Sequence, residues 1–234
     1  MKIRNAVALV TGANRGIGLA FTRELAARGA RKIYAGARDP STITQPGVVP
    51  IRLDVTRPDE VAAAVARAGD VTLLINNAGV GHVGGFLAPD SEEVARRQLE
   101  TNFFGMLRMS TSFAPVLAAN GGGGIVNVLS IVSWVNSGML AAYAASKSAA
   151  WSLTNSLRHE LAAQKTQVLA LHMAFVDTDL VRAIDGPKTS PEEIVRRALD
   201  GLEAGLDEVV ADERTRLVKR GLSATPASYL PQPA

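Results

Sequence analysis

The sequence predicts an α/β protein, a doubly wound parallel sheet covered by helices on both faces. Short apolar runs rich in β-branched residues alternate with longer stretches of helical periodicity, the pattern of βαβ units. The first of these runs ends in a cluster of glycines that opens a helix, the arrangement of a tight βα turn. A length of 234 residues is ordinary for a single α/β domain. A chain of this size buries about 70 to 75% of its unfolded surface, enough for a core without disulfides or metals.

Ala6 to Thr11 is the first apolar run; a helical pattern follows at once over Gly16 to Arg28. Lys32 to Ala37 and Val49 to Asp54 are the second and third strands. The helix expected over Pro58 to Ala68 begins with a proline, which the first turn tolerates because its N–H has no intrahelical partner. Val71 to Asn76 is the fourth strand, and a long helical pattern runs from Ser91 to Ala119. Gly121 to Gly124 reads as a chain reversal, because the strand it feeds, Gly124 to Ser130, keeps the same buried character in Ile125, Val126, Val128 and Leu129. The helix expected over Tyr143 to Ala163 carries Leu153, Leu157 and Leu161 on one stripe, and Gln167 to Met173 is the sixth strand. Ser190 ahead of Pro191, with Glu193 three residues on, resembles a capping box opening a helix over Pro191 to Ala204. Glu208 to Ala211 makes a short seventh strand. The tail from Gly221, with three prolines in its last nine residues, is either flexible or docked on a partner.

Composition excludes several functions. There is no cysteine, hence no disulfide scaffold, thiolate metal site or cysteine nucleophile. The three histidines, His82, His159 and His172, are too scattered for metal-ligand spacing. The formal charge of +3 comes from interspersed acids and bases without a basic run, so no nucleic-acid partner is expected. No apolar stretch approaches the roughly 20 residues needed to span a bilayer. Lys2 and Arg4 precede an apolar run, Ala6 to Val10, too short for a signal peptide and without a cleavage site. A cytoplasmic location is therefore expected, with no membrane association.

The glycine turn, Thr11-Gly12-Ala13-Asn14-Arg15-Gly16-Ile17-Gly18, allows backbone to approach a pyrophosphate at a helix N-terminus, which points to a dinucleotide. Its spacing resembles the Thr-Gly-x-x-x-Gly-x-Gly turn of the short-chain dehydrogenases/reductases. Further motifs of that family follow in order: Asp54-Val55, Asn76-Asn77-Ala78-Gly79, Asn102, Ser130 and Tyr143-x-x-x-Lys147. The resemblance covers the chain up to about Leu180. It implies one Rossmann domain, residues 1–234, with a seven-stranded parallel sheet. It also implies a cofactor held by Gly12, Asn14, Arg15, Ile17 and Gly18, by Asp54 and Val55 at the adenine, and by Asn76, Ala78 and Gly79, which would line the adenosine ribose side and hold the central strand against the turn.

The choice of nicotinamide cofactor turns on charge. The position at the end of the second strand that would carry an acid for a ribose 2′-hydroxyl is Ala37, and Arg38 follows it. Arg38 and Arg15 can converge on a 2′-phosphate, so NADP(H) is expected; Asp39 is the feature that opposes this reading.

Tyr143 and Lys147 lie four apart on one helical face, and Ser130 ends a buried strand where open α/β sheets bind ligands. An ammonium roughly 4 to 5 Å from a phenol, at an effective dielectric near 20, contributes about 3 to 4 kcal/mol and is expected to bring Tyr143 towards working pH. Tyr143 is then acid for reduction and base for oxidation, and Ser130 hydrogen-bonds the substrate oxygen. Lys147 would also hold the nicotinamide ribose, and Asn102, by resemblance, a water linking Lys147 to solvent.

One departure follows the sixth strand. Where the family carries Pro-Gly and then a threonine, this chain reads Met173-Ala174-Phe175-Val176-Asp177-Thr178-Asp179. Val176 and Thr178 are still expected at the carboxamide, in a reshaped pocket. His172 reads as a hydrogen-bonded core residue.

Phe86, Leu87, Trp134, Val135, Met139, Leu140, Phe175 and Leu180 come from segments expected around the cleft and favour an apolar or aromatic ketone over a sugar or charged acid. Asp179 to Ser190 reads as a short lid over an open cleft of broad specificity. The competing readings are a catalytically silent, dinucleotide-sensing regulator of the same fold, and an epimerase or dehydratase, for which too few residues follow Met173. By analogy with the family, a homodimer or homotetramer through the two long helices is expected.

Overall fold

The computed structural model describes residues 1–178 and 186–230. Its centre is a seven-stranded sheet in the order β3-β2-β1-β4-β5-β6-β7, with every pairing parallel. The strands are β1 (Val7–Thr11), β2 (Lys32–Ala37), β3 (Val49–Arg52), β4 (Leu73–Asn76), β5 (Gly123–Val128), β6 (Thr166–His172) and β7 (Glu208–Val210). All seven coincide with the apolar runs of the sequence and differ only at their ends.

Side chains alternate across the sheet, and both faces are apolar. Ala8, Val10, Leu73, Ile75, Val126, Leu169 and Leu171 meet Phe21 and Leu25 of α1 (Gly16–Ala27) and Ile194, Leu199 and Leu202 of α6 (Pro191–Glu203). Val7, Leu9, Leu74, Ile125 and Val168 face the other way, towards Val61 of α2 (Pro58–Arg67), Phe113 and Leu117 of α4 (Met106–Ala119) and Leu157 of α5 (Ala141–Glu160). Burial on both sides explains why the strands read as continuous hydrophobic runs.

Three features depart from the sequence reading. The single helix expected over Ser91 to Ala119 is α3 (Ser91–Leu99), a π-helical stretch (Glu100–Gly105) and α4. Apolar periodicity does not register an extra residue per turn, and this wider turn carries Asn102. Only half of the expected capping box forms: Ser190 Oγ accepts from Glu193 N at 3.2 Å, while the Glu193 carboxylate binds Arg196 and Arg197. An eight-residue helix was not expected at all. This is α7 (Glu213–Arg220), whose charged sequence buries only Thr215 and is capped by Asp212. Among the described residues, no helix is long and apolar enough to cross a membrane.

In the sheet order β1 lies beside β4, so the chain leaves the sheet in opposite directions from these two neighbours. Beyond their carboxyl ends opens the crevice where such sheets bind ligands.

Candidate active site

A cleft of about 1070 Å³ occupies this crevice. Its floor is the glycine turn after β1. Gly12 and Gly16 have φ of +63° and +53°, values that L side chains rarely adopt. Gly18 does not line the cleft; a Cβ there would lie 2.1 Å from Gly12 O, so its part is to let α1 close on the turn. The first turn of α1 has neither a capping side chain nor an acidic residue, which leaves its amide dipoles favourable to an anion.

The turn is lashed to β4 by two side chains that sequence reasoning did not single out. Thr11 Oγ1 accepts from the backbone N–H of Asn77 and Ala78, each at 2.9 Å, and donates to Ile75 O. Asn77 Nδ2 donates to Thr11 O at 2.9 Å and to Gly12 O at 3.2 Å. The reading of Asn76 as a ribose-side residue is corrected here. Its side chain points into the core, donating to Ser110 Oγ at 3.0 Å and Asn127 Oδ1 at 2.9 Å. Strand alternation explains the exchange: Asn76 faces the helices, and its neighbour Asn77 the turn.

Around this floor, Asn14, Arg15, Ile17, Arg38, Asp54, Val55, Ala78, Gly79, Val176 and Thr178 all line the cleft. Asp39 lines it too, but its Oδ1 accepts from Ser41 N at 3.0 Å and Ser41 Oγ at 2.7 Å, holding the carboxyl below its ordinary pKa and capping a short 3-10 turn. Asp54 Oδ1 is similarly engaged by Thr56.

Ser130, Tyr143 and Lys147 meet on one wall. Ser130 follows β5, and its Oγ accepts from Val132 N at 3.3 Å, capping the 3-10 turn Ile131–Ser133. Tyr143 lies in the first turn of α5 and lines the cleft together with Ser130. Lys147, one turn on, is buried, donates from Nζ to Val128 O at 2.8 Å and sits 5.7 Å from the Tyr143 ring centroid.

The expected near-neutral phenol is not what this geometry produces. Desolvation pushes Tyr143 up to about 12, with the Ser130 hydroxyl pulling the other way, and burial brings Lys147 down to about 8. Desolvation moves both groups, an effect that spacing in sequence cannot reveal.

Asn102 lies just behind this wall, outside the cleft lining. Its Oδ1 accepts from Val80 N at 2.8 Å; its Nδ2 donates to Val80 O at 2.8 Å and to Ser146 Oγ at 2.9 Å, and Ser146 Oγ donates to Tyr143 O at 2.7 Å. Asn102 thus braces the first turn of α5. Its Oδ1 and Lys147 Nζ converge beside Gly79, at 3.2 and 3.8 Å from where a Cβ on that residue would stand.

The segment after β6 is held without proline or glycine. Ala174 N donates to Asp212 Oδ2 at 2.7 Å, and the other oxygen of Asp212 accepts from Thr215 N at 2.8 Å at the start of α7. Phe175 and Asp177 exchange backbone hydrogen bonds with Thr189, and Thr178 packs against Gly16. Through Asp212, α7 brings Arg214 and Val218 into the cleft, with the Arg214 guanidinium 5.3 Å above the Phe175 ring. The only local signal for this contribution is an aspartate three residues ahead of a threonine.

Of the residues expected around the substrate, Val135, Leu140 and Phe175 line the cleft. Phe86, Leu87 and Met139 are exposed and outside its lining, and Trp134 turns away to stack on His172 at 4.0 Å. These positions lie in loops, where no periodicity fixes the direction of a side chain. Val80, Val83, Val94, Ile131, Val132 and Val218 supply apolar lining in their place. Leu180 and the segment 179–185 of the expected lid lie outside the described residues.

Known proteins are similar to this chain in sequence and fold. The family model described as short chain dehydrogenase matches residues 6–188. A 3-oxoacyl-acyl-carrier-protein reductase of Escherichia coli (strain K12) is 32% identical over 193 residues, covering 79% of each chain. The D-erythrulose reductase of Gallus gallus is 34% identical over 215 residues, 90% of this chain and 87% of that one. A crystal structure of a short chain dehydrogenase from Burkholderia cenocepacia J2315 in complex with NADP superposes with a TM-score of 0.93 at 41% identity, covering 97% of this chain and 96% of that one. Sequence and fold agree over most of the chain, which belongs to the short-chain dehydrogenase/reductase family.

Proposed function

We propose that this chain is an NADP(H)-dependent oxidoreductase, residues 1–234 acting as one cofactor-binding domain, that transfers hydride between the cofactor and a carbonyl or secondary alcohol. The observation that carries the reading is the meeting of Ser130, Tyr143 and Lys147 on the wall of a cleft whose floor is the glycine turn. That floor suits a dinucleotide, because backbone without Cβ atoms at Gly12 and Gly16 lies at an uncapped helix N-terminus. Preference for the phosphorylated cofactor rests on Arg15 and Arg38 beside Ala37 and on the commitment of Asp39 to Ser41. The NADP complex of the Burkholderia relative supports it.

When bound, the reduced nicotinamide supplies the hydride. Tyr143 donates its proton to the substrate oxygen in reduction and, as the phenolate, takes one in oxidation. Ser130 hydrogen-bonds the same oxygen as negative charge develops on it. Lys147 holds the nicotinamide ribose and favours the phenolate, and Asn102 holds a water on the proton path from Lys147. Val176 and Thr178 face the carboxamide. The apolar lining from Val80, Val94, Ile131, Val135, Leu140 and Phe175 favours an apolar or aromatic ketone. We further propose a homodimer or homotetramer through the helical stretches Ser91 to Ala119 and Tyr143 to Ala163; a scattering mass equal to the 24.6 kDa chain would refute it.

The test is a fluorescence titration with NADPH and, separately, NADH, followed by a panel of carbonyl compounds. NADPH is expected to bind at least about tenfold more tightly, with Arg38→Ala removing most of that preference. Equal NADH affinity would overturn the cofactor assignment. Tyr143→Phe is expected to lower kcat about 10²- to 10⁴-fold while NADPH still binds. An unchanged rate in that variant would favour the silent, cofactor-sensing reading, and turnover of acidic or polyhydroxylated compounds alone would overturn the substrate class.

A further inference from the structure

We propose that His172 is a positioning residue for this reaction: its Nδ1–H holds the backbone carbonyl of Ser130 and so fixes the hydroxyl that Ser130 presents to Tyr143. The inference rests on the oxidoreductase reading above.

His172 is the last residue of β6 and is fully buried, with Nδ1 3.1 Å from Ser130 O. A carbonyl oxygen only accepts, so the ring proton sits on Nδ1. Burial brings the ring down to about 3, which keeps it neutral and in this single role. The contact falls where regular pairing of β5 with β6 has ended, at Val128 opposite Leu171. Beyond that point Leu129 N and Ile131 N still donate to Leu171 O and Met173 O. The carbonyl between them takes only the turn closure from Ser133 N and the His172 ring. Rotation of that carbonyl would swing the Ile131 peptide and with it the bond from Val132 N to Ser130 Oγ.

A second contact secures the ring. Trp134, immediately after the 3-10 turn, stacks on it at 4.0 Å and 23°, so both ends of the serine loop grip one imidazole. Behind it stand Glu208 of β7, its Oε1 3.5 Å from Nε2, and Lys219 of α7, ion-paired with Glu208 and 5.8 Å above the Trp134 ring. Among the described residues, Nε2 has no hydrogen-bond partner. A purely packing role would be filled at lower cost by leucine, which buries no unsatisfied nitrogen. The bond from Nδ1 to Ser130 is what the imidazole adds.

Two substitutions separate hydrogen bond from bulk. His172→Leu removes the donor; His172→Asn keeps an N–H on Cγ, where Nδ1 stands. With NADPH and a turned-over ketone, His172→Leu is expected to lower kcat about 10- to 100-fold with KM and NADPH affinity nearly unchanged, and His172→Asn to restore most of the rate. Full activity in His172→Leu, or equal loss in both variants, overturns the proposal. Two spectra on the protein without substrate keep it testable should a variant not fold or no ketone be turned over. The ¹⁵N spectrum of the unmodified protein is expected to show a neutral His172 protonated on Nδ1; protonation on Nε2 overturns the assignment. The ¹³C resonance of the Tyr143 ring, assigned with Tyr143→Phe, is expected to shift in His172→Leu in the same direction as in Ser130→Ala. An unmoved resonance overturns the proposal, whereas absent turnover with both spectra as expected overturns only the oxidoreductase reading.

Discussion

The turn after β1 and the turn after β6 both line the cleft, and they are held in place by different means. The first is set by its own stereochemistry: positive φ at Gly12 and Gly16, a missing Cβ at Gly18, and Thr11 and Asn77 tying it to the next strand over. The second has no such residues. Met173-Ala174-Phe175 is positioned by a carboxylate 38 residues away, at the head of a helix with little apolar surface. A turn set locally is written into consecutive residues, while a turn set from a distance is written into a pair that only the folded chain brings together.

The sharpest way to break this comparison is Gly18→Ala. Its Cβ would meet Gly12 O at 2.1 Å, and backbone cannot yield as a flexible side chain would. Loss of more than about 3 kcal/mol in a urea melt is expected, together with loss of NADPH binding. Wild-type melting would show that the turn is not locally determined.

Lys147, buried in the cleft wall, tests whether that wall itself stores unfavourable free energy. Its folded pKa of about 8 lies below the ordinary 10.5, so between those values the unfolded chain binds more protons and stability rises with pH. The cost of burying the ammonium, about 3 kcal/mol as an upper figure, is in full force below pH 8 and fades towards pH 10.5. Lys147→Met is therefore expected to be more stable than the parent at pH 7, less the bond to Val128 O, with the advantage shrinking over that window. Urea melts from pH 6 to 10.5 measure it, and a gap that widened with pH would contradict the desolvation argument.

A smaller effect is expected at the second turn. Asp212→Ala removes both the α7 cap and the anchor of Ala174, at a cost of about 2 kcal/mol. Hydrogen exchange at the Ala174 amide should accelerate, and exchange at Ala13 in the first turn should not. Acceleration at both would mean that the two turns are one cooperative unit.

What could be read in advance follows the same division. Sheet, strand positions and main helices were legible because both faces of every central strand are buried, so hydrophobic runs mark them directly. The meeting of Ser130, Tyr143 and Lys147 followed from helical spacing and the end of a strand. Asn76 was misplaced because the side-chain alternation at a strand end was one residue out of step with the motif. Helix α7 was missed because charged residues on a short helix give no apolar stripe, and the raised Tyr143 pKa because burial is a property of the assembled cleft. The outward turn of Phe86, Leu87 and Met139 belongs to loops, where sequence carries no directional signal.

The bond from Ala174 to Asp212 also bears on how this chain can vary. A turn held by its own proline and glycine tolerates little change within and is indifferent to change elsewhere. Here the constraint has moved to position 212, so Met173 and Ala174 are released as long as the distant carboxylate remains. Mutational tolerance should therefore be epistatic: a saturation library is expected to accept many residues at 173 and 174 in the parent background and few once Asp212 is replaced. Because Arg214 and Val218 travel with that carboxylate, a transplanted C-terminal segment is expected to carry the shape of the cleft mouth with it.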